Sequence, residues 1–122
     1  MEKVTGIGGV FFKARDPDAQ RAWYEKHLGI SCDWVSDGGG GKAFTGPGTT
    51  IWSIFPASSD YFSPGHATWM INYRVNDLGA MVAQLKAGGC AVDDNVQESE
   101  FGKFGWVVDP EGNRIELWEP PQ

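Results

Sequence analysis

The run Arg114-Ile115-Glu116-Leu117-Trp118-Glu119, near the C-terminal end of the chain, sets a carboxylate between an arginine and a tryptophan. Alternate residues of an extended segment point to opposite faces, so Ile115 and Leu117 read as one side of a strand. Arg114, Glu116 and Trp118 read as the other. If that second face meets solvent, Glu116 is a surface charge. If it lines a cavity, Glu116 is a candidate metal ligand, acid–base group or anchor for a cation. Histidine and cysteine are sparse: two histidines, His27 and His66, and two cysteines, Cys32 and Cys90. The cysteines have no close spacing that would suggest a disulfide framework or a metal site, and they read as small core fillers.

Composition narrows the function classes. A length of 122 residues fits one domain, and 41% hydrophobic residues with six tryptophans argue against disorder. The formal net charge of −6 disfavours nucleic acid as a partner, because phosphate binding needs a basic patch. No positively charged apolar leader and no bilayer-length apolar run stands out. The expectation is a soluble, reduced, cytoplasmic protein with no membrane partner.

Two helix patterns position these residues. The first lies in "DPDAQRAWYEKHLG", with Asp16 as N-cap, Pro17 at the first helical position and Gly29 as the stop. Ala19, Ala22, Trp23 and Leu28 follow one helical stripe. The second lies in "NDLGAMVAQLKAGG", capped by Asp77 and stopped by Gly88-Gly89, with Leu78, Met81, Val82 and Leu85 at helical spacing. A strand pattern precedes each helix and three follow it, so the order β-α-β-β-β occurs twice. Aligning Asp16 with Asp77 gives an offset of 61 residues, and aligning Pro56 with Pro120 gives 64. The modules span about 4–57 and 66–120, joined by the linker 58–65, "SSDYFSPG", which reads as polar. "SDGGGGK", residues 36–42, reads as a flexible hairpin loop, since four consecutive glycines are poor strand formers.

The doubled β-α-β-β-β order, the stretch "DP…WYEKHLG" in the first half and the ending "DPEGNRIELWEP" resemble the vicinal oxygen chelate superfamily. That group includes glyoxalases, bleomycin-resistance proteins and extradiol dioxygenases. The resemblance covers the chain from about Val4 to Pro120. It implies an α+β fold, two tandem βαβββ modules forming curved mixed sheets around a concave cavity, and a homodimer. It also implies metal-ligand positions on the first and fourth strand of each module. Counting back from the helix caps and matching the final strands places these at Gly9, Trp52, Met70 and Glu116. Only Glu116 can bind a divalent ion, so the aligned metal site looks lost and no cofactor is expected. A metal held through an unaligned residue such as His66 stays open.

Strand parity then predicts what lines the concave face. Phe11 and Lys13 come from the first strand, Trp52 from the fourth, and Met70, Asn72 and Arg74 from the fifth. The final pair adds Phe104, Trp106, Arg114, Glu116 and Trp118. The opposite parity (Val10, Phe12, Ile71, Tyr73, Val75, Val107, Ile115, Leu117) reads as core beneath the helices. In "QESEFGKFG", the charges read as a solvated hairpin and Phe101 or Phe104 as the contact with the cavity. An aromatic lining with a few polar groups suits a small-molecule ligand, and cation–π attraction of roughly 0.5–2 kcal/mol would favour a cationic one.

Three functions follow. One is a metal-free binding protein that sequesters an aromatic or cationic compound. Another is a glyoxalase-like lyase, isomerase or epimerase, using Glu116 with a divalent metal or as a metal-free acid–base group. The last is a ligand-free dimerisation module, the outcome expected if side chains fill the cavity.

Overall fold

Two aspartates start the helices as their spacing predicts. Asp16 Oδ1 accepts from the Ala19 N–H at 3.1 Å and Asp77 Oδ1 from the Ala80 N–H at 2.9 Å, each satisfying a donor that the first helical turn leaves unpaired. Helix α1 spans Pro17–Leu28 and ends at Gly29, whose left-handed φ of 69° suits glycine; helix α2 spans Leu78–Ala87. The computed structural model describes residues 1–36, 38–64 and 67–122, so Asp37, Gly65 and His66, together with the Leu28 side chain, lie outside the described residues. No described helix is long and apolar enough to cross a membrane.

In the first module β1 (Val4–Ala14) precedes α1, and β2 (Trp34–Ser36), β3 (Gly39–Gly46) and β4 (Gly48–Pro56) follow it. In the second, β5 (Trp69–Val75) precedes α2, followed by β6 (Ala91–Val92), β7 (Gln97–Ser99), β8 (Gly102–Val108) and β9 (Arg114–Glu119). The strands form one curled mixed sheet in the order β2-β3-β4-β1-β5-β9-β8-β6, with β7 paired to β8. The modules meet within the chain, where β1 runs antiparallel to β5, while β1–β4 and β5–β9 are parallel. The helices cover the outer face of this half-barrel. The core under α2 contains Val75, Leu78, Met81, Val82, Val107 and Leu117, with Tyr73, Leu85 and Ile115 packed against it.

Three sequence expectations are corrected. Gly39, Gly40 and Gly41 are not loop residues; they are buried in β3. A Cβ at Gly41 would stand 2.7 Å from the Trp52 carbonyl oxygen and strike the Trp34 ring, and one at Gly40 would lie 2.9 Å from Arg21 Cδ. The glycines thus make a flat strip that lets α1 and Trp34 approach the backbone. The Ala19, Ala22, Trp23 stripe is exposed, Trp23 to 51%; the helix instead turns Gln20, Arg21 and Tyr24 toward the sheet. Arg21 Nη1 donates to the Gly39 carbonyl at 3.2 Å, so glycines in the strand select a long polar side chain from the helix. Val10 is 39% exposed rather than core, because it sits on the outer face between the sheet regions that the two helices cover.

A methyl group at Gly41 has no room, whereas Gly46, also in β3, has nothing within 4 Å of its Cβ position. Gly41→Ala is expected to destabilise the fold by about 1–3 kcal/mol. Gly46→Ala is expected to change stability by less than about 1 kcal/mol. Urea denaturation measures both, and equal midpoints for the two variants would contradict this packing of β3.

Candidate functional site

The concave face is organised by Glu116, which is 1% exposed. Its position follows from strand register: β9 pairs Glu116 with Asn72 of β5 on one side and with Trp106 of β8 on the other. Directly opposed residues share a face. Asn72 Nδ2 therefore reaches Glu116 Oε2 at 2.6 Å and Trp106 Nε1 reaches Oε1 at 3.1 Å. The Tyr61 hydroxyl supplies a further donor to Oε1. All three donors are neutral, and no ion pair to Glu116 occurs among the described residues.

Burial pushes the Glu116 carboxyl above its usual range, against the opposing hydrogen bonds from Tyr61, Asn72 and Trp106 and the charge of Arg114. Burial and the neighbouring carboxylate push the Tyr61 phenol upward as well, which keeps it a donor. The Arg114 guanidinium lies 5.0 Å from the Trp106 ring centroid and 5.9 Å from that of Tyr61. Arg114 Nη1 also donates to the Ser63 carbonyl at 2.7 Å.

Tyr61 comes from the segment between the modules, which folds across the concave face. Phe62 is 1% exposed and packs with Phe11 and Met70, joined by Phe55 and Ile51. Tyr61 stacks on Phe55 at 5.4 Å with an interplanar angle of 17°. Side chains thus fill the space that the sequence reading assigned to a ligand. Beside this packing, an open cleft of about 230 Å³ is bounded by Pro64, Asp93, Trp106 and Arg114. A larger surface cleft of about 370 Å³, around Glu98, Lys103 and Glu119, is lined by none of the groups that bind Glu116.

Of the residues expected at the site, Phe11, Met70, Asn72, Trp106, Arg114 and Glu116 come together. Lys13 sits at the rim, its Nζ 5.2 Å from the Phe62 ring. Arg74 lies elsewhere along β5, where its Nη1 donates to the Ile7 carbonyl at 2.7 Å and to the Thr49 carbonyl. Phe104 stacks on Trp118 at 6.2 Å, neighbouring the Trp106–Glu116 pair along the same two strands. Phe101 is 65% exposed and makes no such contact.

Trp52 is a correction: its ring lies 5.6 Å from Phe12 and 5.0 Å from Tyr24 of α1, on the outer face. Ile54, two residues on, shares that side and is paired with Phe12. The parallel register pairs Phe11 with Ser53 as it pairs Asn72 with Glu116. Ser53, 63 residues before Glu116, is therefore its counterpart, and matching the two prolines misplaces β4 by one residue. A one-residue slip moves a side chain to the other face. Tyr61, Phe62 and Phe55 are missing from the expected lining; two adjacent aromatics inside a polar linker were the available signal.

The donor set does not fit a divalent ion. The four aligned positions carry Gly9, Ser53, Met70 and Glu116, and the Ser53 hydroxyl is engaged with the Gly40 carbonyl at 3.3 Å. Both Glu116 oxygens accept from N–H or O–H groups. No group of three His, Cys, Asp or Glu able to hold a metal occurs among the described residues.

The family model described as the Glyoxalase/Bleomycin resistance protein/Dioxygenase superfamily matches residues 6–117. Among solved structures, methylmalonyl-CoA epimerase from Mycobacterium tuberculosis is 22% identical, with 98% of this chain and 90% of that chain covered and a TM-score of 0.71. A single-residue variant of Streptomyces coelicolor methylmalonyl-CoA epimerase, in complex with 2-nitronate-propionyl-CoA, is 15% identical, with 94% and 96% covered and a TM-score of 0.74. The Mn(II)-bound glyoxalase from Novosphingobium aromaticivorans is 20% identical with a TM-score of 0.74; the match covers 97% of this chain and 40% of that one. These likenesses show the fold. No curated protein matches the sequence significantly.

The raised proton affinity of Glu116 has a stability signature. Below the ordinary carboxylate range near pH 4.5 the group is protonated both folded and unfolded, and contributes no pH dependence. Above it the unfolded chain releases the proton first, so stability falls as pH rises toward the folded pKa. Glu116→Gln removes this cost. The Asn72 amide can turn over to present its Oδ1, unpartnered among the described residues, to the new amide. The variant is expected to match the parent near pH 4 and to exceed its urea midpoint at pH 7. A Glu116→Gln protein less stable than the parent at pH 7 would contradict a carboxylate whose burial outweighs its hydrogen bonds.

Proposed function

The chain belongs to the glyoxalase/bleomycin resistance protein/dioxygenase superfamily, and from that premise we propose a proton-transfer enzyme of the lyase or isomerase kind with Glu116 as its acid–base group. The carrying observation is a carboxylate 1% exposed that, among the described residues, accepts only from the neutral donors Tyr61, Asn72 and Trp106. A carboxylate held this way is more basic than one in water, which suits removal of a proton from a carbon beside a carbonyl. Asn72 and Trp106 fix its orientation from two strands. Proton transfer needs substrate within hydrogen-bonding reach of Glu116, so the Tyr61 side chain has to yield its place. The adjoining cleft of about 230 Å³, walled by Trp106 and Arg114, offers the approach.

The neighbouring Mn(II)-bound glyoxalase makes a metal-assisted route a natural comparison. The donor set at Gly9, Ser53, Met70 and Glu116 does not support one here, and the proposed chemistry assigns the proton to Glu116 alone. The filled concave face favours a second reading, a module without a small-molecule ligand. In that reading the apolar outer-face residues Val4, Ile7, Val10 and Trp69, each at least 39% exposed, would be what meets a second copy.

Solvent exchange separates the two. In D2O, with the protein pretreated with chelator, NMR follows deuterium entering the α-carbon of a panel of 2-oxo compounds, hemithioacetals and acyl thioesters. Exchange of at least one class is expected, with Glu116→Gln slowing it at least about 100-fold while remaining folded. No exchange across the panel, with or without added Mn²⁺, would decide for the ligand-free module. Exchange that needs Mn²⁺ would reject the metal-independent role of Glu116.

A further inference from the structure

The side chain of Tyr61 has the contacts of a bound ligand more than those of a linker residue. Its ring stacks on Phe55 at 5.4 Å, meets the Trp106 ring edge-on at 6.2 Å and 90°, and has the Arg114 guanidinium 5.9 Å from its centroid. Its hydroxyl ends on the buried Glu116 carboxylate. These partners come from β4, β8 and β9, so folded strands from both modules build the walls, and the occupant arrives from the segment between them. Such walls are complementary to one chemical object: a single aromatic ring with a hydrogen-bond donor at one end. We propose that the space over Glu116 is a binding subsite for a 4-substituted monocyclic phenol, which the chain's own Tyr61 occupies in the absence of ligand.

Each wall selects a feature of that ligand. Glu116 accepts a hydrogen bond and repels an anion, so it favours the neutral phenol over a phenolate or a carboxylate. Phe55 and Trp106 take the ring by stacking and edge contact, which limits the site to one flat ring. Tyrosine enters with its hydroxyl innermost and its backbone link para to it, so a ligand in the same pose directs its 4-substituent toward the surface. The Arg114 guanidinium beside the ring, over both Trp106 and Tyr61, adds cation–π attraction.

The tether makes Tyr61 a competitor rather than a permanent wall. An intramolecular group acts at an effective concentration of about millimolar for short flexible links. A free phenol therefore binds the parent protein more weakly than a variant lacking the ring. The subsite is a property of ligand recognition and stands whether or not Glu116 transfers a proton.

The probe is 4-methylphenol, the tyrosine side chain cut at Cβ, with toluene as the ring without the donor. Calorimetric titration into Tyr61→Gly is expected to show 4-methylphenol binding at least tenfold tighter than to the parent, and at least tenfold tighter than toluene. The preference over toluene is expected to vanish when Glu116→Leu is added. Equal affinity for parent and Tyr61→Gly would place binding elsewhere, and equal affinity for toluene and 4-methylphenol would remove the role of Glu116; either overturns the proposal. If Tyr61→Gly does not fold unaided, 4-methylphenol is expected to restore its circular dichroism and urea transition where toluene does not, and no restoration likewise overturns it. Absence of α-carbon exchange in the parent, with 4-methylphenol still bound by Tyr61→Gly, would sink the enzyme reading alone, and exchange in the parent without such binding would sink the phenol subsite alone.

Discussion

A carboxylate removed from water without a cation needs donors on both oxygens, and the concave half of this molecule is arranged around that need. Leaving such a group unpaired costs several kcal/mol, far more than one hydrogen bond contributes to folding. The donors that reach Glu116 come from β5, β8 and the segment between the modules. Two strand registers are thereby tied to one side chain. A one-residue slip of β9 would drive Glu116 into the Val75, Leu78, Leu117 core under α2 and leave Asn72 and Trp106 without their acceptor. The acid specifies the pairing of the sheet as well as occupying it.

The two modules share their backbone plan but divide the chemistry unequally. Where the second module opposes Asn72 and Glu116, the first opposes Phe11 and Ser53. Phe11 contributes apolar area to Phe62 and Met70, and Ser53 satisfies a carbonyl of the glycine strand. The first module thus supplies a wall and a platform, including Phe55 beneath Tyr61, for a polar site belonging to the second. Its own polar investment is on the outer side, in the Arg21 contact with Gly39.

The doubled order, both helix caps, the α2 core and the shared face of Asn72, Trp106 and Glu116 were legible, because period-2 alternation and capping chemistry are local signals, whereas their direct pairing across β5, β9 and β8 was not. The glycine strand and the connecting segment escape a local reading because long-range contacts override local preference, whereas Trp52 is misplaced by the one-residue slip that matching the two prolines introduces. Gly39, Gly40 and Gly41 read as part of a loop until Trp34 and Arg21, packed against Gly40 and Gly41, are seen to require a strand without side chains. Trp52 reads as cavity lining until the parallel pairing with Val10 puts it on the helix side. Residues 58–65 read as a polar linker by composition, yet Tyr61 and Phe62 gain more from the concave face than their polar neighbours lose. A sequence reports how polar a segment is on average, whereas two aromatic residues suffice to anchor it.

The antiparallel seam between β1 and β5 joins residues such as Phe11 and Met70, 59 positions apart in the chain. During synthesis the first half leaves the ribosome before its covering exists. Phe11, Ile51 and Phe55 face solvent until Phe62 and Met70 emerge, at about 5–20 residues per second. The aromatic pair in the connecting segment is the first cover to be made, ahead of every strand of the second module. In chain order the residues that close the concave face are therefore the first apolar cover available to β1 and β4, ahead of the strand edge that β5 later takes.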